Sequence, residues 1–176
     1  TQLLLKLIKD EGWERVLVFV ATKYTAEHVA EKLYRAKVFA TPFHGEMSQG
    51  ARQEVLSEFK AGRWDVVVTT DLASRGIDIA QLPVVVNYDL PRSATDYVHR
   101  IGRTGRAGQS GQAISFVTAD AEAHFQLIEK RQNLSLPREQ IAGFEPTEVA
   151  AVVVAPAAPA GAGNGGIKGK RPSKKD

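Results

Sequence analysis

The run VLVFVA at residues 16–21 decides the fold, because it places six apolar residues, three of them valine, in a row with no polar position among them. A strand with one wet face alternates apolar and polar residues. A strand that is apolar throughout is covered on both faces, as in parallel sheets whose crossover helices pack above and below. DVVVTT at 65–70 repeats the pattern, and VFATPF at 38–43, VVVNY at 84–88 and QAISFV at 112–117 give three more extended segments. Between them the apolar period becomes helical. Leu4, Leu7 and Ile8 lead to Gly12; Ala26, Val29, Ala30 and Leu33 mark a helix over 25–36; Val55, Leu56 and Phe59 mark another over 48–61. Ser93 with Asp96 three residues later has the form of an N-terminal cap for a helix over 94–101, and a last helix is predicted over 121–132. This alternation predicts an α/β domain with a mainly parallel sheet and helices on both faces. In such a sheet ligands sit beyond the carboxyl ends of the strands. Segments 22–24, 44–48, 71–78 and 89–93 are therefore expected along one edge.

Length and composition bound the possibilities. The 176 residues suffice for one domain with a self-sufficient core plus a tail. There is no cysteine, which excludes a disulfide framework and thiolate metal sites and suits a reducing, cytoplasmic location. No uninterrupted apolar run approaches the ~18 residues of a membrane span, so a soluble protein without a membrane partner is expected. The chain opens in a helix-like run without an initiator methionine, as a fragment of a longer polypeptide would. The net charge of +3 is unevenly placed: Lys168, Lys170, Arg171, Lys174 and Lys175 against Asp176 contribute +4, which leaves residues 1–160 at −1. From 147 the composition turns to Ala, Val, Pro and Gly and then to lysine, so 1–146 is read as the folded domain and 147–176 as a disordered basic tail. Any nucleic-acid contact by the folded part rests on local arginines and amides rather than on a global field.

Three stretches carry chemistry. HRIGRTGRAG at 99–108 spaces Arg100, Arg103 and Arg106 by three, with Gly102, Gly105 and Gly108 between them. Guanidinium forks match phosphate oxygens and glycines let the backbone come close, yet a basic glycine-rich turn is equally a solvated loop. TTDLASRGIDI at 69–79 gathers Thr69, Thr70, Asp71, Arg75, Gly76 and Asp78 at the ligand edge. Taken singly, Asp71 is a helix cap and Asp78 a turn residue; together with the arginines they suit a nucleotide or nucleic-acid backbone. FHGEMSQGAR at 43–52 brings glycines near Arg52, but Ala51 stands where a phosphate loop requires lysine, and GxxxxGK[ST] occurs nowhere. No compact acidic run follows a strand to hold magnesium. His28, His44, His99 and His124 lack metal-ligand spacing, and no serine sits in a nucleophile elbow.

In that order and at those separations, VLVFVAT, HGEMSQGAR, TTDLASRGIDI and HRIGRTGRAG resemble the C-terminal RecA-like domain of DEAD-box RNA helicases, over residues 16–117. The ending LPREQIAGFEP and the basic tail resemble the bacterial RhlE-like branch. The resemblance implies a three-layer α/β/α fold and ATP-dependent separation of RNA strands. It implies that Arg103 and Arg106 reach the γ-phosphate of ATP across an interdomain cleft, and that Asp78 accepts from the ribose. It places Thr22, Arg52, Thr70, Arg75 and Gly76 along the RNA backbone. His99 and Arg100 would contact an N-terminal RecA-like domain of the same polypeptide, which would also hold most of the Mg2+ coordination. Protein partners from RNA processing or the ribosome are further expectations, as is inactivity of this chain alone. Two other readings stay open: the motor half of a related DNA helicase, against which the wording of the last two motifs speaks, and an RNA-binding or regulatory module without catalysis.

Overall fold

The computed structural model describes residues 1–105 and 111–144; Arg106, Gly108 and the tail expected over 147–176 lie outside them. Among the described residues the strands are β1 (Val16–Phe19), β2 (Ala40–Phe43), β3 (Val66–Thr69), β4 (Val84–Asn87) and β5 (Gln112–Ser115). They form one sheet in the order β2-β3-β1-β4-β5, and every neighbouring pair is parallel. The helices are α1 (Gln2–Glu11), α2 (Lys23–Arg35), α3 (Gln49–Lys60), α4 (Asp71–Ser74), α5 (Ala94–Ile101) and α6 (Glu122–Arg131).

The pleat explains why the central strands are apolar at every position. Val16 and Val18 share one face with Val66, Val68, Val84 and Val86, and Leu4 and Ile8 of α1 with Ala26, Val29, Ala30 and Leu33 of α2 cover it. Leu17 and Phe19 look the other way with Val67 and Val85, under Val55 and Phe59 of α3, Ala73 of α4, Ile79 and Leu82. Each such side chain contributes about 1.5–3 kcal/mol by leaving water. A polar residue at any of these places would lose its hydration whichever way it pointed.

The edges follow other rules. Pro42 belongs to β2, an edge strand, where a missing N–H is tolerated. β5 departs from the expected two-faced burial: Gln112 and Ala113 are exposed and Ile114 and Ser115 half-buried, whereas β2 at the other edge is mostly buried, because α2 lies against β2 and no described helix covers β5 to the same extent. A smaller cluster joins α5 to α6 through Ala94, Tyr97, Phe125 and Ile128, with the Tyr97 and Phe125 rings edge-on at 6.0 Å. Arg138 closes it, lying 4.8 Å over Phe125 and donating to Glu122 at 3.0 Å and to both oxygens of Glu129. The backbone N–H of Leu136 also donates to Glu129, at 2.7 Å. Among the described residues no helix is long and apolar enough to cross a membrane.

Candidate functional site

Four strands hand over to helices at one edge of the sheet, and each helix begins with a hydroxyl cap. Thr22 accepts from the N–H of Thr25 at 3.2 Å, Ser48 from Ala51 at 3.1 Å, Thr70 from Ala73 at 3.3 Å and Ser93 from Asp96 at 3.1 Å. Caps of this kind satisfy amides that the first turn leaves unpaired. The parallel topology thus puts Thr22 and Thr70 on the same edge as the arginine motif. The helix α4 is absent from the sequence pattern, since four residues are too few to show a period; its cap is Thr70, and Asp71 is its first residue.

Asp71 is available to Arg100 for that reason. From the last turn of α5, Arg100 donates through Nε to Asp71 Oδ1 at 2.6 Å and through Nη2 to Oδ2 at 2.7 Å. Its Nη1 donates to Asn87 Oδ1 at 3.2 Å and to the Asp89 carbonyl at 2.6 Å, and the guanidinium lies 5.1 Å from the Phe19 ring centroid. Asn87 is itself fully buried and donates to the Ser115 hydroxyl at 3.0 Å. Arg100 therefore ties α5, α4, β4 and β1 together. It is 2% exposed, and its donors are turned into the fold. Its neighbour His99 is exposed.

Arg103 follows α5 and braces the loop after α4. Its Nη1 donates to the carbonyls of Ile77 at 2.6 Å and Ile79 at 3.1 Å, and its Nη2 to that of Ser74 at 2.8 Å. Its own carbonyl accepts from Leu82 N–H at 3.0 Å, and the Thr104 hydroxyl donates to the Leu82 carbonyl. The braced loop holds Gly76 at φ 73°, a left-handed conformation that glycine adopts without strain, and leaves Asp78 exposed. Gly111, where the description resumes, has a different reason to be glycine: a Cβ there would stand 1.9 Å from Thr104 Oγ1.

Between these parts lies a cleft of about 220 Å³, lined by Asp71, Ser74, Arg75, Gly76, Asp96, His99, Arg100 and Arg103. Arg75 is largely exposed, with its guanidinium 3.5 Å from Asp96. The cleft unites six of the residues singled out in the sequence, Asp71, Arg75, Gly76, His99, Arg100 and Arg103. Asp78 lies beyond it on the same loop. Arg52 approaches from α3, its guanidinium 5.2 Å over the Phe43 ring. Lys23 pairs with Glu46 between the start of α2 and the loop after β2; the hydrogen bond holds the Glu46 carboxyl below the usual carboxylate range and raises the Lys23 amine. His44 is buried and bonded to Glu27 at 2.8 Å, a structural place. Sequence reasoning missed Ser74, Asn87, Asp89 and Asp96. Asp96 was legible only as a cap partner, and Asn87 and Asp89 could have been found as polar residues ending a buried strand.

A parallel three-layer sheet with arginines converging at its carboxyl edge is the architecture of RecA-like motor domains. The helicase conserved C-terminal domain model matches residues 1–108. The Escherichia coli DEAD-box protein SrmB, solved bound to regulator of ribonuclease activity A, superposes with a TM-score of 0.78 at 37% identity, covering 85% of this chain and 88% of that one. Saccharomyces cerevisiae Dbp5 L327V bound to RNA and ADP BeF3 gives a TM-score of 0.68 at 37% identity, covering 73% of this chain and 35% of that one. The mouse ATP-dependent RNA helicase DDX4 is 43% identical over 121 residues, which are 69% of this chain and 17% of that protein. The chain belongs to the helicase C-terminal domain family and, within it, to the DEAD-box proteins. It spans about a sixth of the length of the first curated relatives it matches, 17% in the mouse protein.

Proposed function

We propose that this chain is the C-terminal motor domain of an ATP-dependent RNA helicase, one jaw of a two-domain enzyme that locally separates or remodels RNA duplexes. The observation that carries the reading is the cleft, where Arg75, Gly76, His99 and Arg103 share a wall around the buried Arg100 fork. Its three guanidinium groups make a cationic wall suited to a polyphosphate; Arg100 and Arg103 are bonded to protein oxygens here, and Arg75 is the largely exposed one. The two carboxylates lining it, Asp71 and Asp96, are engaged by Arg100 and Arg75. The reading therefore leaves Mg2+ mainly to a second, N-terminal RecA-like domain. ATP supplies the phosphoanhydride whose cleavage resets the machine.

In this reading Arg103 and Arg106 stabilise the charge that develops during phosphoryl transfer, an effect worth roughly a thousandfold or more in rate. Asp78, exposed on the loop that Arg103 braces, accepts from a ribose hydroxyl. Thr22, Arg52, Thr70, Arg75 and Gly76 bind RNA through hydroxyls, amides and guanidinium groups, which position a strand without reading its bases. His99 faces the partner domain, and Arg100 keeps the wall behind it rigid. The RNA and nucleotide bound to yeast Dbp5 support both ligands, and the regulator of ribonuclease activity bound to SrmB supports a protein partner connected with RNA processing.

The test is RNA-stimulated ATP hydrolysis by the complete polypeptide, with Arg106→Ala beside the wild type. A fall of about a thousandfold in turnover with RNA binding retained is expected. Near-normal turnover overturns the finger role. Unwinding of matched RNA and DNA duplexes separates this reading from a DNA motor, and substantial RNA-stimulated hydrolysis by the present chain alone would contradict the requirement for a second domain.

A further inference from the structure

Tyr24 is 71% exposed on the first turn of α2. The buried face of that helix is made by Ala26, Val29, Ala30 and Leu33, so the core makes no use of the ring. Tyr24 stands two residues beyond the Thr22 cap, on the edge of the sheet that carries the candidate RNA contacts. One interaction organises it. The Lys23 ammonium sits 4.9 Å from the ring centroid and is itself fastened to Glu46, so the cation is fixed beside the ring and its charge is locally balanced.

We propose that Tyr24 is a stacking platform for one unpaired base of the RNA strand whose phosphates pass Thr22. The inference rests on the RNA reading above and adds a subsite to it: a flat, sequence-tolerant contact to a nucleobase beside contacts to the backbone. An aromatic ring offers a base the same attraction whichever base it is. A single exposed ring face suffices for a base, whereas an apolar protein surface needs a contiguous patch. Among the other exposed aromatics, Phe39 precedes β2 at the opposite edge of the sheet and Tyr34 lies at the far end of α2. The Lys23 cation beside the ring is paired with Glu46, so the contribution at this point is stacking rather than phosphate attraction.

The experiment measures binding of a single-stranded oligouridylate to the complete protein by fluorescence anisotropy, with an abasic nucleotide moved along the strand. Tyr24→Ala weakens binding by about fivefold or more, whereas Tyr24→Phe and Tyr24→Trp stay within about twofold of wild type. The wild type loses affinity when the abasic site reaches one particular position, and Tyr24→Ala is indifferent to that position. Arg75→Ala serves as the control on the underlying reading. If Arg75→Ala loses affinity while Tyr24→Ala binds as wild type, the platform is overturned and the RNA surface stands. If neither loses affinity, the RNA reading itself fails. An abasic penalty that is the same in Tyr24→Ala and wild type overturns the platform as well.

Discussion

Arg100 and Arg103 are three residues apart and chemically identical, yet their surroundings assign them different work. Arg100 leaves the last turn of α5 and meets Asp71, Asn87 and Asp89, residues 11 to 29 positions earlier in the chain. Arg103 leaves the following turn and donates to the carbonyl oxygens of Ile77, Ile79 and Ser74. No local pattern separates them, because the distinction depends on partners brought in by other strands. The local pattern could therefore nominate the motif, and only the family resemblance ranked its members. Lysine at position 100 would keep a charge but lose the fork, stripping one oxygen of Asp71 or the Asn87 amide of its donor inside the fold. Arg100→Lys is expected to destabilise the domain by about 3 kcal/mol, read as a lowered midpoint of urea unfolding. An unchanged midpoint would mean that the network is not a structural keystone.

The regular elements were legible wherever their pattern was long or their burial two-sided. The strand runs at 16–21 and 65–70 appear as β1 and β3, each trimmed to four residues, and the Ser93 cap bonds Asp96 as its spacing suggested. Illegible were α4, shorter than its own period, and the exposure of β5, which depends on where in the sheet a strand falls. Also hidden was the clasp beyond α6, where Arg138 reaches back to Glu122 and Glu129. The hydrogen bonds from Arg138, followed by that from Leu136 N–H, outweigh burial and hold the Glu129 carboxyl below its ordinary value of 4.5. A carboxyl depressed in the folded state stabilises above its unfolded value and ceases to do so as pH falls through the folded one. The difference in unfolding midpoint between wild type and Arg138→Gln should thus be full above pH 4.5 and shrink below it. A difference independent of pH would assign the clasp to packing over Phe125 instead.

Seen whole, the domain has one active edge, and the parallel order of the strands is what makes it so. Every crossover returns the chain to the same side before the next strand begins, so each strand ends where the others end. The order β2-β3-β1-β4-β5 could not be read from apolar runs, which report burial but not neighbours. It nevertheless follows from the sequence that successive buried strands joined by helices would release their loops together. The caps Thr22, Ser48 and Ser93 stand at the N-termini of α2, α3 and α5, whose partial positive ends all meet that edge. Residues 1–160 carry a net charge of −1, so the proposed hold on a polyanion rests on local arginines and helix N-termini instead of a global field. Dipoles displace few condensed counterions. If only Arg52 and Arg75 neutralise phosphates, the logarithm of RNA affinity for residues 1–144 should fall against the logarithm of salt concentration with a slope of about −1.4, and a much steeper slope would reveal further ionic contacts. On the RNA reading proposed above, an edge with two phosphate-neutralising arginines would release few ions, so its hold on a strand would follow the shape of the backbone before it and only weakly the ionic composition of its surroundings.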